Sequence, residues 1–72
     1  MDKQTLKIAG EYIKLQELLK LSGLCQTGGH AKIVINNGEV KVNNEICTMR
    51  GKKLRTGDAV EFSDNIIEVI MV

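Results

Sequence analysis

The apolar and polar positions change period along the chain, and each change predicts an element. Thr5-Leu6-Lys7-Ile8 alternates, the pattern of a short half-buried strand, and Gly10 breaks it. From Tyr12 the spacing turns helical. Leu15, Leu18 and Leu19 stand at i, i+3 and i+4, with Lys14, Gln16, Glu17 and Lys20 between them and Ser22 following. This predicts an amphipathic helix of about two to three turns, stopped by Gly23 in the left-handed conformation. Ala31, Val34 and Ile35 repeat the spacing in a second helix that faces the first and ends at Asn36-Asn37-Gly38. Glu39 to Val42 alternates again, Asn43-Asn44 suits a two-residue turn, and Glu45-Ile46-Cys47 returns as a partner strand. Thr48 to Gly57 reads as a polar, basic connection with Leu54 anchored in the core. Ala59 to Phe62, a turn at Ser63-Asp64-Asn65 and a strand from Ile66 to Val72 complete the pattern. The predicted fold is α+β, in the order β-α-α-β-β-β-β: two short packed helices on a small, mostly antiparallel sheet, one domain over residues 1–72.

The opening of the second helix carries candidate chemistry. In Gln26-Thr27-Gly28-Gly29-His30-Ala31-Lys32, Thr27 is placed to be the N-cap, its hydroxyl accepting a bond from a first-turn backbone N–H. Gly28 and Gly29 then fill the first helical positions, at a cost of about 1 kcal/mol each relative to alanine. They also strip side chains from a helix end that carries about half a positive charge and accepts phosphate readily, and Lys32 follows one turn in. The stretch alone does not choose between a phosphate-accepting mouth and a helix start that happens to use small residues.

Charge distribution adds to this. The net charge is +1, yet residues 14–55 hold eight cations (Lys14, Lys20, Lys32, Lys41, Arg50, Lys52, Lys53, Arg55) against Glu17, Glu39 and Glu45. Residues 56–72 hold Asp58, Glu61, Asp64 and Glu68 with no cation. Such asymmetry favours one electropositive face. With one Tyr, one Phe and no Trp, an aromatic base-stacking platform is not expected, and Tyr12 reads as a half-buried packing residue. Cys25 and Cys47 are too far apart for a CxxC motif, and one His does not complete a usual zinc set, so both read as buried free thiols in a reducing compartment. No signal peptide or apolar run of about 18 residues is present, which makes a cytoplasmic location the expectation.

These residues resemble a known family. The runs Lys14-Leu15-x-x-Leu18-Leu19, Gly23-Leu24, Thr27 through Ala31-Lys32, Gly38-x-Val40-x-Val42-Asn43 and Leu54-x-x-Gly57-Asp58-x-Val60 are similar to the S-four-type RNA-binding domain, the alpha-L motif. The likeness is strongest to its stand-alone bacterial members of the YaaA/YbcJ type, and its core spans residues 13–62. It differs from the wider family in Gly28 and Gly29, where an Arg/Ser-rich start is common, and in Asn44, where the hairpin turn usually has Gly. The resemblance implies a non-catalytic module in which the two helices and the loop before the second contact structured RNA. Its matching positions are Lys14, Gln26, Thr27, Gly28, Gly29, His30, Lys32 and Lys41.

The residues themselves add Lys20, Arg50, Lys52, Lys53 and Arg55 as candidates for tracking a phosphate backbone. A-form RNA is recognised through shape, phosphates and 2′-hydroxyls, for which aromatics are unnecessary. Each candidate has a plainer reading. The run from Arg50 to Arg55 matches a solvated loop, Lys14 and Lys20 a solubilised helix face, Lys41 an outward strand position, and His30 an exposed inert side chain. Together with the resemblance they favour a binder of structured RNA, rRNA or a ribosomal particle, ribosome assembly or quality control being the setting the resemblance implies. The alternative is a protein-interaction adaptor that uses the acidic C-terminal strand as an edge, together with the helix face. A sulfur carrier is disfavoured because the chain ends Ile70-Met71-Val72 rather than in Gly-Gly. An enzyme is disfavoured because no set of catalytic groups, metal ligands or cofactor contacts converges.

Overall fold

The computed structural model describes residues 2–72; Met1, part of the expected 1–72 span, lies outside them. The order is β1 (Asp2–Ile8), β2 (Ile13–Lys14), α1 (Leu15–Leu21), α2 (Gly28–Asn36), β3 (Lys41–Val42), β4 (Glu45–Ile46), β5 (Lys53–Leu54), β6 (Ala59–Phe62) and β7 (Asn65–Met71). Five strands form one sheet in the order β1-β7-β6-β3-β4, and β2 pairs with β5 in a separate ribbon. All pairings are antiparallel except β1 with β7, which is parallel.

The helices form where the spacing places them. Leu15, Leu18 and Leu19 of α1 are fully buried, and Ala31, Val34 and Ile35 of α2 are buried with them. Gly23 (φ +82) and Gly38 (φ +76) follow the two helices in the left-handed region, as their places in the pattern require. Val40, Val42, Val60, Ile67 and Val69 face the helices from the sheet and complete the core with Leu54 and Cys25. Asn43 and Asn44 (φ 52 and 70) and Ser63 and Asp64 (φ 52 and 62) make the two tight turns with positive φ at both central residues.

Four expectations are corrected. The helical pattern begins at Leu15, not near Tyr12, because Ile13 and Lys14 are extended and paired. The connection after Thr48 is not without structure: Lys53–Leu54 is a strand. Cys47 is partly exposed, whereas Cys25 is buried as expected. The acidic C-terminal strand is not an edge, since β7 lies between β1 and β6 and the sheet's free edges are β1 and β4.

Candidate nucleic-acid interface

The two-residue strands β2 and β5 bring basic residues from two distant stretches of the chain side by side. Ile13 lies opposite Leu54 and Lys14 opposite Lys53. Alternate residues share a face of a strand, so Ile13 and Leu54 turn inward, 8% and 0% exposed, and Lys14 and Lys53 turn out to solvent. One step further along the ribbon, Tyr12 meets Arg55. The Arg55 Cζ lies 5.8 Å from the ring centroid, and the Lys53 Nζ lies 4.9 Å from it on the diagonal. Tyr12, Lys14, Lys53 and Arg55 thus share one exposed face. Like charges directly opposite one another destabilise a strand pair. Among the described residues the one salt bridge is Lys3 with Glu68, 3.4 Å, elsewhere on the sheet.

Backbone hydrogen bonds fasten the preceding loop to the ribbon. The first N–H groups of α1 donate into it, Leu15 to the Lys52 carbonyl at 2.9 Å and Gln16 to the Arg50 carbonyl at 3.1 Å. The N-terminus of α1 is therefore filled by the chain's own carbonyls, and Arg50 and Lys52 are held beside Lys14. Asp58 clamps the far side. Its carboxylate accepts the Arg55 N–H at 2.8 Å and the Asn43 side-chain amide at 3.0 Å, while Asn43 Oδ1 accepts the Ala59 N–H at 3.0 Å. Partial burial on its own would raise the Asp58 pKa. The Arg55 N–H, the Asn43 amide and the charges of Lys52 and Arg55 outweigh that and hold it below the ordinary aspartate value. The spaced Asn43 and Gly57-Asp58 of the sequence motif are thus the clasp that seats the basic ribbon. Sequence reasoning gave Asn43, Asp58 and Tyr12 no such role, although the motif already carried the first two.

A second group sits at the other end of α1. Thr27 caps α2, its hydroxyl accepting the His30 N–H at 3.0 Å. Among the described residues, neither the Gly28 nor the Gly29 N–H has a protein acceptor. Lys20, in the last turn of α1, passes this opening; a Cβ on Gly28 would lie 3.9 Å from its Cδ. Gln26, His30 and Lys32 are exposed around it. The expected residues therefore fall into two groups at opposite ends of a seven-residue helix, about 10 Å apart along its axis. Lys14, Arg50, Lys52, Lys53 and Arg55 form one group, and Lys20, Gln26, Thr27, Gly28, Gly29, His30 and Lys32 the other. Lys41 joins neither. It lies between the buried Val40 and Val42, so it points off the opposite face of the sheet, where Glu61 is its cross-strand partner.

Among the described residues no three His, Cys, Asp or Glu side chains are grouped to hold a metal. Nor, among the described residues, is any helix long and apolar enough to cross a membrane. The chain matches the family model described as the S4 domain over residues 6–70. It is 45% identical over 56 residues to the "Probable ribosome maturation protein RlbA" of Bacillus subtilis strain 168, covering 78% of this chain and 79% of that one. It is 36% identical over 59 residues to the "Putative RNA-binding protein YbcJ" of Escherichia coli K12, covering 82% and 84%. The solution structure of E. coli YbcJ, described as revealing an alpha-L motif involved in RNA binding, superposes with a TM-score of 0.65 at 33% identity, over 97% of this chain and 87% of YbcJ. With a family match that runs from the first strand to the last, the chain belongs to the S4-domain family.

Proposed function

We propose that this protein is a non-catalytic, cytoplasmic binder of structured RNA, rRNA or a ribosomal particle, and that the β2–β5 ribbon and the mouth of α2 are its contact surfaces. The carrying observation is the ribbon, in which Lys14 and Lys53 oppose each other beside Arg55 at a cost to the fold's own stability. A polyanion relieves that repulsion, and the open N–H groups of Gly28 and Gly29 with Lys20 and Lys32 suit a second phosphate. The names of the relatives support RNA as the ligand, and that of RlbA supports the ribosomal setting. The adaptor reading loses the strand edge it requires, because β7 is inside the sheet.

The test is the salt dependence of binding to a labelled RNA stem-loop. Each phosphate contact contributes about 0.9 to the slope of log affinity against log salt on a duplex. The combined Lys14→Ala, Lys53→Ala and Arg55→Ala variant is expected to lower the slope by about 2 to 3 units, and to release the protein from ribosomal subunits in co-sedimentation. Lys41→Ala, on the opposite sheet face, is expected to leave the slope unchanged. Lys14→Ala alone is expected to melt no lower than the parent, since it removes a repulsion. A triple variant that keeps the parent's slope refutes the proposed surface.

A further inference from the structure

We infer that Tyr12 receives one unpaired base, so that the preferred RNA is a paired stem interrupted by a bulged nucleotide rather than a continuous duplex. This rests on the RNA-binding reading and goes beyond it. Tyr12 is 39% exposed and lies on the solvent side of the ribbon, while its chain neighbour Ile13 is buried in the core. Its ribbon neighbours on that face are all cations: Lys14, Lys53 and Arg55. An aromatic ring ringed by cations is the arrangement that stacks a base and holds the phosphates on either side of it.

The two cations already over the ring do not block it. The Arg55 Cζ at 5.8 Å is close to the outer limit, about 6 Å, of a useful cation–π contact, and Lys53 at 4.9 Å is on an exposed side chain. Both residues are exposed, so in the bound state their side chains turn toward the phosphates flanking the bulge and leave a ring face open. The chain has a single Tyr, no Trp and one Phe, and Phe62 packs against the core. One ring takes one base, which fits a single extruded nucleotide better than a run of stacked single-stranded bases.

The experiment compares two blunt RNA duplexes, identical except that one carries a single 2-aminopurine bulge, moved in turn along the stem. The parent is expected to bind the best bulged duplex about tenfold more tightly than the continuous one. The 2-aminopurine fluorescence, excited where neither tyrosine nor the ordinary bases absorb, is expected to change when the parent binds that duplex and to stay unchanged with Tyr12→Leu. Tyr12→Leu is expected to bind the bulged and the continuous duplex equally, and Tyr12→Phe to retain the preference, with circular dichroism melts showing both variants folded. If Tyr12→Leu keeps the preference, or the parent binds both duplexes equally, the stacking inference is overturned and the phosphate-binding surface stands. If the parent binds neither duplex in a salt-dependent way, the RNA reading itself falls and takes this inference with it.

Discussion

Replacing Asp58 with alanine removes the acceptor shared by the Arg55 N–H at 2.8 Å and the Asn43 amide at 3.0 Å. Hydrogen bonds to a charged group contribute about 1.5–3 kcal/mol when sheltered. Both of these are exposed to solvent, so water replaces part of each and about 1 kcal/mol apiece is the appropriate figure. The total, about 2 kcal/mol, corresponds to a fall in melting temperature of about 10 °C for a chain this short. Asp58→Asn keeps an acceptor without the charge and is expected to lose about half as much. The pH dependence has a definite sign. The folded carboxyl is held below its ordinary value, so its stabilisation is complete above the unfolded-chain range, about pH 4, and is lost as pH falls through the folded value. Thermal melts from neutral to strongly acid pH should therefore show parent and Asp58→Ala converging at low pH. An alanine variant that melts within about 2 °C of the parent at neutral pH, or that keeps a constant deficit into acid, refutes the clasp.

Two further outcomes follow from the same geometry. Thr27→Ala removes the α2 cap and is expected to cost about 1 kcal/mol in urea unfolding, with Thr27→Ser restoring most of it; an unchanged midpoint contradicts the cap. The thiols should differ in reactivity. Cys25 is 1% exposed, and burial, with the nearby Glu39 charge, raises its pKa, so at neutral pH a thiol reagent should label Cys47 in the native state and Cys25 only on opening. Equal rates at the two sites would contradict the packing around Cys25.

The sequence was most readable where one residue type answers one local demand. The leucines of α1, the Thr27 cap, the stops at Gly23 and Gly38 and the Asn43-Asn44 turn all occupy their expected places. What escaped it is non-local. A two-residue strand has no period, so Lys53-Leu54 looked like loop until Ile13-Lys14 was laid against it. That pairing turns a charge run into a ribbon with one cationic face and makes Tyr12 part of it. The parallel partner of β1 was hidden for the same reason: alternation shows which side of a strand is buried and is silent about its neighbour. The acidic C-terminal strand therefore read as an edge when it is internal. Among the candidate residues, pattern alone marked Lys41 as outward without showing that outward there means away from both helices.

The pairing of β1 with β7 sets an order of events during synthesis. Asp2 meets Asn65 and Ile8 meets Met71, so a strand translated early has no place to dock until nearly all the described chain has been made. Closing so long a span carries its entropy cost before any contact repays it. The helix pair and the ribbon, by contrast, draw on residues 13–54 alone. Assembly of this protein should therefore run from the middle outward, the helices and the ribbon taking shape while Leu6 and Ile8 still wait uncovered for their partner.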